Sequence, residues 1–283
     1  GSGNIRQDGD GNDILASGSE LTSGLAKFAY ESGSGHRIEF SAESVTDDEV
    51  RPYRANIGEV LVGRPLPLTR PYELQRENYS ISYTTTAPSA MWDPTIRLSY
   101  SGTELLNDEL NEELRQRTFG ETTSLSGEIS NRFSLAWGDI NAGLDFYQDT
   151  ADIVFVSLAD TSENYTAHEE MRNIGVIAQD RMEPPANTRL SFGARADFQD
   201  FDAKDGFSQS ESGLSGNISG EWDVTDRFTL AAGYSHVWGG IELAENYIMD
   251  PSWTYPTDGL GTATADNAYI AASYSAGPWV IDG

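Results

Sequence analysis

The stretch from Asn187 to Trp238 constrains the fold most. Leu190, Phe192, Ala194, Ala196 and Phe198 alternate with Arg189, Ser191, Gly193, Arg195, Asp197 and Gln199. A period of two gives a strand one apolar face and one wet face. Ile218 and Trp222 lead into a turn at Asp223 to Arg227, and Phe228, Leu230, Ala232 and Tyr234 lead out of it. A solvated antiparallel sheet alternates too. Here the polar face mixes Arg, Asp and Gln with Gly and Ser over strands of about ten residues, as a wall with lipid outside and a polar lumen inside requires. Arg189, Arg195, Asp197 and Gln199 are the expected lumen-facing set.

The same alternation recurs along the chain. Ala26, Phe28 and Tyr30 mark a first strand, and Ile38, Phe40 and Ala42 a second. Tyr79, Ile81 and Tyr83 mark the next, followed by Ile96, Leu98 and Tyr100. A long strand over 118–130 is expected to turn at Asn131-Arg132. It returns through Phe133, Leu135 and Trp137 with a bulge near Gly138 to Asn141. Ile174, Val176 and Ala178 then run to the stiff turn at Pro184-Pro185. Short turns fall near Ser34, Ser89, Asn131, Pro185, Thr225 and Gly277. Long polar loops are expected near Pro65, Asp108, Asn164, Gly206 and Trp253. Within the second loop, Glu104 to Glu113 is read as one or two helical turns. Short turns at one end and long loops at the other describe an all-β, antiparallel transmembrane barrel of about twelve visible strands. Residues 1–283 form one barrel segment: a loop-like lead-in over 1–19 and strands over 20–283.

Charge and composition narrow the chemistry. The chain carries 45 acidic against 18 basic residues, a formal charge of -27. Nucleic acid is excluded, because a phosphate-binding surface needs clustered Lys and Arg. There is no Cys, so no thiolate nucleophile or Cys-based zinc site exists. No run of about twenty apolar residues forms a transmembrane helix, which says nothing against a barrel. The 28 Gly and the 19 Trp and Tyr suit a barrel with aromatic girdles.

Nothing marks an enzyme, and no cofactor is expected. His36, His168 and His236 stand apart, and His168 is placed in a loop without the second His of a zincin helix. A sharper reading gives His168 or His236 to haem iron or an iron complex. The long loops are aromatic as well as acidic, and their Arg and aromatic residues suit a planar or anionic ligand. The candidate ligand contacts are Arg54, Arg64, Tyr165, His168, His236 and Trp253. Asp8, Asp10 and Asp13 offer oxygen ligands to calcium, against the plainer reading of an acidic surface turn.

Four stretches carry a family resemblance. Asn173 to Asp180 looks like a strand that runs down to a periplasmic turn. Arg189 to Asp197 looks like the "Gly-x-Arg-x-Asp" strand after it. Trp222 to Ser235 looks like the next hairpin, and Asp266 to Tyr269 like the start of a later strand. In this order they resemble the middle of the barrel of TonB-dependent outer-membrane receptors, over most of residues 20–283. The resemblance implies a location in the bacterial outer membrane and a 22-stranded barrel filled by a plug. It further implies uptake of a scarce solute, such as a siderophore or haem, driven by an inner-membrane energy-coupling complex. No plug is recognised in these residues. The missing strands are expected from the remainder of the receptor or a second chain. A passive porin and a secreted acidic all-β binding module are the alternatives.

Overall fold

The computed structural model describes residues 2–3, 5–53, 60–61, 64–65, 68–109, 115–182, 184, 187–241, 252 and 254–283. Its strands are β1 (Ser2–Gly3), β2 (Ser19–Glu31), β3 (His36–Pro52), β4 (Val60–Leu61), β5 (Arg64–Pro65), β6 (Thr69–Thr85), β7 (Pro94–Glu109), β8 (Gln116–Leu135), β9 (Gly138–Ser157), β10 (Tyr165–Met182), β11 (Thr188–Asp202), β12 (Ser208–Thr225), β13 (Phe228–Gly240), β14 (Ala263–Ala276) and β15 (Trp279–Asp282). Thirteen of them form one meander in the order β1-β2-β3-β6-β7-β8-β9-β10-β11-β12-β13-β14-β15, while β4 and β5 pair separately. Every pairing is antiparallel. The order runs from β1 to β15 without returning, so among the described residues the sheet is open. It is part of a larger barrel.

Two neighbouring register rows show how the sequence pattern becomes a two-faced wall. One row reads Phe28, Phe40, Ile81, Leu98, Gly127, Phe146, Ile174 and Phe198 across eight strands. Its large side chains are all exposed, Phe28 by 64%. The next row, one residue along, reads Lys27, Ser41, Ser80, Ser99, Ser126, Tyr147, Asn173, Gln199 and Glu211. Here Asn173 and Gln199 are buried, at 3% and 2% exposure. Burying amides while exposing Phe and Ile inverts the order of a water-soluble protein. Lipid against the apolar face accounts for it, since apolar groups gain nothing there by turning inward.

Several expectations are corrected. Residues 104–109 are strand, not helical turns: Leu105 and Leu106 pair with Gly120 and Phe119. A partner strand in register satisfies more backbone groups than one isolated helical turn does. Leu110 and Leu114 lie outside the described residues. The turn foreseen at Asn131-Arg132 lies further on, between Leu135 and Gly138, and pairing continues without a bulge. Asn131 instead spends its carboxamide oxygen on the Asp93 amide at 2.9 Å. The irregularities fall elsewhere, at Asp223/Thr225 and Trp238/Gly240. Asp108 is in β7, and the connections at Asn164 and Gly206 are short. The strands outrun the ten-residue estimate, with β8 and β9 at 20 residues each. Their outer halves lose the apolar face once they leave the lipid, so alternation of hydrophobicity stops marking them while pairing goes on.

Candidate functional site

The polar face of β9, β10 and β11 is built row by row. Asp145, Gly175 and Asp197 share one row. Arg195, two residues nearer the short turns on the same face, reaches back across them. Its Nη2 donates to Asp145 Oδ1 at 2.8 Å, and Nη1 also meets that carboxylate. Its Nε donates to both Asp197 oxygens at 2.9 Å. Asn173 Nδ2 adds a bond to Asp197 Oδ1 at 2.9 Å. Gly175 makes the crossing possible, because a Cβ there would stand 2.1 Å from Arg195 Nη2. Nearer the turns, Arg189 holds Glu221 and, with Nη1 and Nη2, Asp223 at 2.6 and 2.9 Å. The four residues expected on the polar face, Arg189, Arg195, Asp197 and Gln199, therefore share one face, each with its hydrogen bonds met by neighbours.

A cavity of about 390 Å³ opens on this face. Asn173, Arg195, Asp197, Ser215, Asn217 and Trp238 line it. The Trp238 indole lies over Gly213, where a Cβ would come within 2.1 Å of it. Two carboxylates already hold Arg195, so the cavity offers amides, hydroxyls and an aromatic plane rather than a free positive charge.

Toward the ends bearing the long connections, the face turns aromatic. Tyr255 stacks on Phe207 at 4.7 Å and meets Phe201 edge-on at 5.7 Å. The Tyr255 hydroxyl donates to Glu169 Oε1. Burial, with Glu169 second, pushes the Tyr255 phenol above its ordinary range. Two glutamines bring this connection onto the face. Gln199 Nε2 donates to the Ile241 carbonyl at 3.1 Å, and its Oε1 accepts from the Ile241 amide at 2.7 Å. Gln209 does the same to Leu260, at 2.9 and 2.7 Å. Each clamped residue follows a glycine at positive φ, Gly240 or Gly259. A side chain on Gly240 would strike Gln199 Oε1 at 2.5 Å. Sequence reading missed these clamps. Gln199 and Gln209 look like ordinary wet-face residues, and their partners are 42 and 51 residues away.

The other expected contacts are scattered. Tyr165 begins β10 on the polar-face parity and stacks on Phe155 at 5.5 Å. His168 lies in β10, not in a loop, and its Nδ1 meets Asp152 Oδ1 at 2.8 Å. His236 in β13 meets Asp266 at the same distance, and Tyr234 donates to that carboxylate at 2.6 Å. By alternation both histidines stand on the apolar-face parity, with Ile174 and Tyr234, and they are not brought together. Arg64 is in β5, while Arg54 and Trp253 lie outside the described residues. Asp8, Asp10 and Asp13 do not gather around a cation position. Asp8 Oδ1 accepts from the Asp10 and Asn12 amides at 2.9 Å each, and Asp13 takes Gln7. Those turn bonds hold the Asp8 carboxyl below its usual range, with Asn12 the main cause. Among the described residues no three His, Asp or Glu form a group able to hold a metal.

A long two-faced meander, polar inside and aromatic where its connections lengthen, has close counterparts. The family described as "TonB dependent receptor-like, beta-barrel" matches residues 13–277. The chain belongs to that family. Membership makes it part of a receptor barrel of the bacterial outer membrane. Heme transporter BhuA of Brucella ovis is 28% identical over 299 residues, covering 99% of this chain and 42% of that protein. BhuA of Brucella abortus (strain 2308) gives the same figures. The chain thus spans less than half the length of these relatives. Among solved structures, the FrpB iron transporter from Neisseria meningitidis (F3-3 variant) superposes with a TM-score of 0.77 at 16% identity, over 98% of this chain and 46% of that one. Copper transporter OprC gives 0.77 at 14%, over 97% and 45%. At such identities the likeness speaks for the fold alone.

Proposed function

We propose that this segment belongs to a receptor for energy-coupled uptake of haem or a similar iron complex. The observation that carries the reading is the match to haem transporters along almost the entire chain. In this reading the polar face is the lumen wall, with Arg189, Arg195, Asp197 and Gln199 facing water or the plug. The end with long connections is the outer mouth. Its ligand contacts come from Tyr165 and from Arg54, Arg64 and Trp253 on the connections. The remainder of the receptor supplies the plug, the missing strands and the link to the inner-membrane coupling complex. Outer-membrane lipid covers the apolar face.

The test uses cells lacking their own haem receptor, supplied with the full-length protein that carries these residues. Saturable haem uptake that stops when the proton-motive force is dissipated is expected. Linear, uncoupled uptake, or steady ohmic conductance in a planar bilayer, overturns the reading in favour of a passive pore. Ala at His168 and His236 together is expected to leave haem uptake unchanged, since both rings share the parity of the lipid-facing side chains. Loss of uptake in that folded variant would put the haem contact on these two histidines instead.

A further inference from the structure

Glu169 and Asp180 are buried carboxylates with an unpartnered oxygen that enter no ion pair among the described residues, and Glu169 is the one at the end bearing the long connections. Glu169 is 1% exposed, and its Oε2 has no hydrogen-bond partner. Among the described residues the one donor to its Oε1 is the Tyr255 hydroxyl, a neutral group. Arg172, three residues on, pairs with Glu170 on the opposite face. Across the row Glu169 faces Ala151, and Met171 and Phe201 pair two residues along on the same face. Burying a carboxylate without a cation is costly. The same surplus of acceptors appears at Asn107, also buried at the outer end, whose Oδ1 lacks a donor.

The surroundings define what is missing. Three aromatic rings, Tyr255, Phe207 and Phe201, meet beside the carboxylate, with centroids 4.7 to 6.3 Å apart. Aromatic faces beside a desolvated carboxylate favour an organic cation over a metal ion, because the rings attract spread positive charge without offering ligand atoms. We propose that Glu169 and this aromatic cluster form a binding subsite for an ammonium or guanidinium group of a solute entering the outer end. Tyr255 occupies it in the empty state, and its hydroxyl stands in for the solute's donor. Gln199 and Gln209 pin Ile241 and Leu260 on either side in sequence and thereby keep Tyr255 within reach. The subsite does not depend on the haem reading, since haem uptake is measured separately.

Choline and its uncharged carbon isostere, dimethylbutanol, are the probes. Their binding to the full-length protein in detergent is measured by calorimetry. Choline is expected to bind saturably, and the isostere about tenfold or more weakly. Glu169→Gln is expected to weaken choline about 10- to 100-fold. Tyr255→Phe keeps the rings and removes the internal competitor, so choline binds about 2- to 10-fold more tightly. A purely structural role for Tyr255 predicts the opposite sign. No choline binding, equal affinity for the two probes, or weaker choline binding by a folded Tyr255→Phe variant overturns the proposal. Folding of each variant is read from its heat-modifiable gel mobility.

Discussion

Replacing Gly175 by Ala tests whether the polar face is held by the Arg195 crossing. The new Cβ would sit 2.1 Å from Arg195 Nη2, 2.5 Å from Cζ and 2.8 Å from Asp145 Oδ1. All three belong to side chains, so the guanidinium can swing away, but only by leaving Asp145. A hydrogen bond between charged groups contributes roughly 1.5–3 kcal/mol where it is buried. Arg195 and Asp145 are 28% and 27% exposed and the bonds to Asp197 can persist, so solvent screening about halves the loss. Two bonds lost at that discount give about 2 kcal/mol. The assay is urea unfolding of the full-length protein in lipid vesicles, followed by tryptophan fluorescence. A second background sharpens it. With Arg195→Ala already present, the two closest contacts are gone and the Asp145 carboxylate, the next at 2.8 Å, is released from its partner and can turn away, so Gly175→Ala should stabilise by about 0.5 kcal/mol through the greater backbone entropy of glycine. The sign therefore reverses between backgrounds. An equal cost in both would refute the reasoning and locate the strain in the backbone of β10.

Three further outcomes follow from the same geometry. Val176→Lys places a charge on the apolar face and should cost roughly 2–4 kcal/mol near the bilayer midplane, whereas Gln179→Lys on the polar face should stay within about 0.5 kcal/mol; folding yields into vesicles in the opposite order would reverse the assignment of faces. Gln209→Ala removes both bonds to Leu260, worth about 1–2 kcal/mol together, so exchange of the Leu260 amide should accelerate roughly tenfold; unchanged exchange would mean that the clamp does not hold. Asp160 caps the short 3-10 turn over Thr161–Glu163, and its carboxyl lies below 3.8 because the Ser162 hydroxyl and amide donate to it. A depressed carboxylate contributes above its unfolded value and loses that contribution as pH falls through its folded value, so protection of the Ser162 amide should be flat near neutral pH and drop only below about pH 4. A drop centred near pH 6 would point to a histidine instead.

The meander was legible because lipid imposes a period of two on every crossing. Phe28, Phe40, Ile81, Leu98, Phe146, Ile174 and Phe198 each announce a strand, and the register joins them into one row. Where the wall leaves the bilayer, that constraint disappears. Residues 104–109 and 149–157 are strand because a neighbour pairs with them, and their own side chains do not say so. Apolar position carries the information inside lipid, while backbone pairing carries it outside.

The site was harder to read for a related reason. Arg195, Asp197 and Gln199 were identifiable as polar-face residues from parity alone. What each one holds was not, because Asp145 is 50 residues from Arg195 and Ile241 is 42 from Gln199. The histidines drew attention as rare chemistry, yet parity already places His168 with Ile174 and His236 with Tyr234, on the opposite face of the sheet from Arg195 and Gln199. Glu169 was hidden by abundance, as one of 45 acidic residues. Its distinction is environmental: on the polar-face parity of β10 it sits among rings and methyl groups rather than beside an arginine. Asp145 and Asp197 show the contrast, for there the same kind of charge is met by the Arg195 guanidinium across a glycine. A wall that neutralises Asp145 and Asp197 at mid-height and leaves Glu169 without a cation near its mouth places an unmet attraction for positive charge where a solute first arrives.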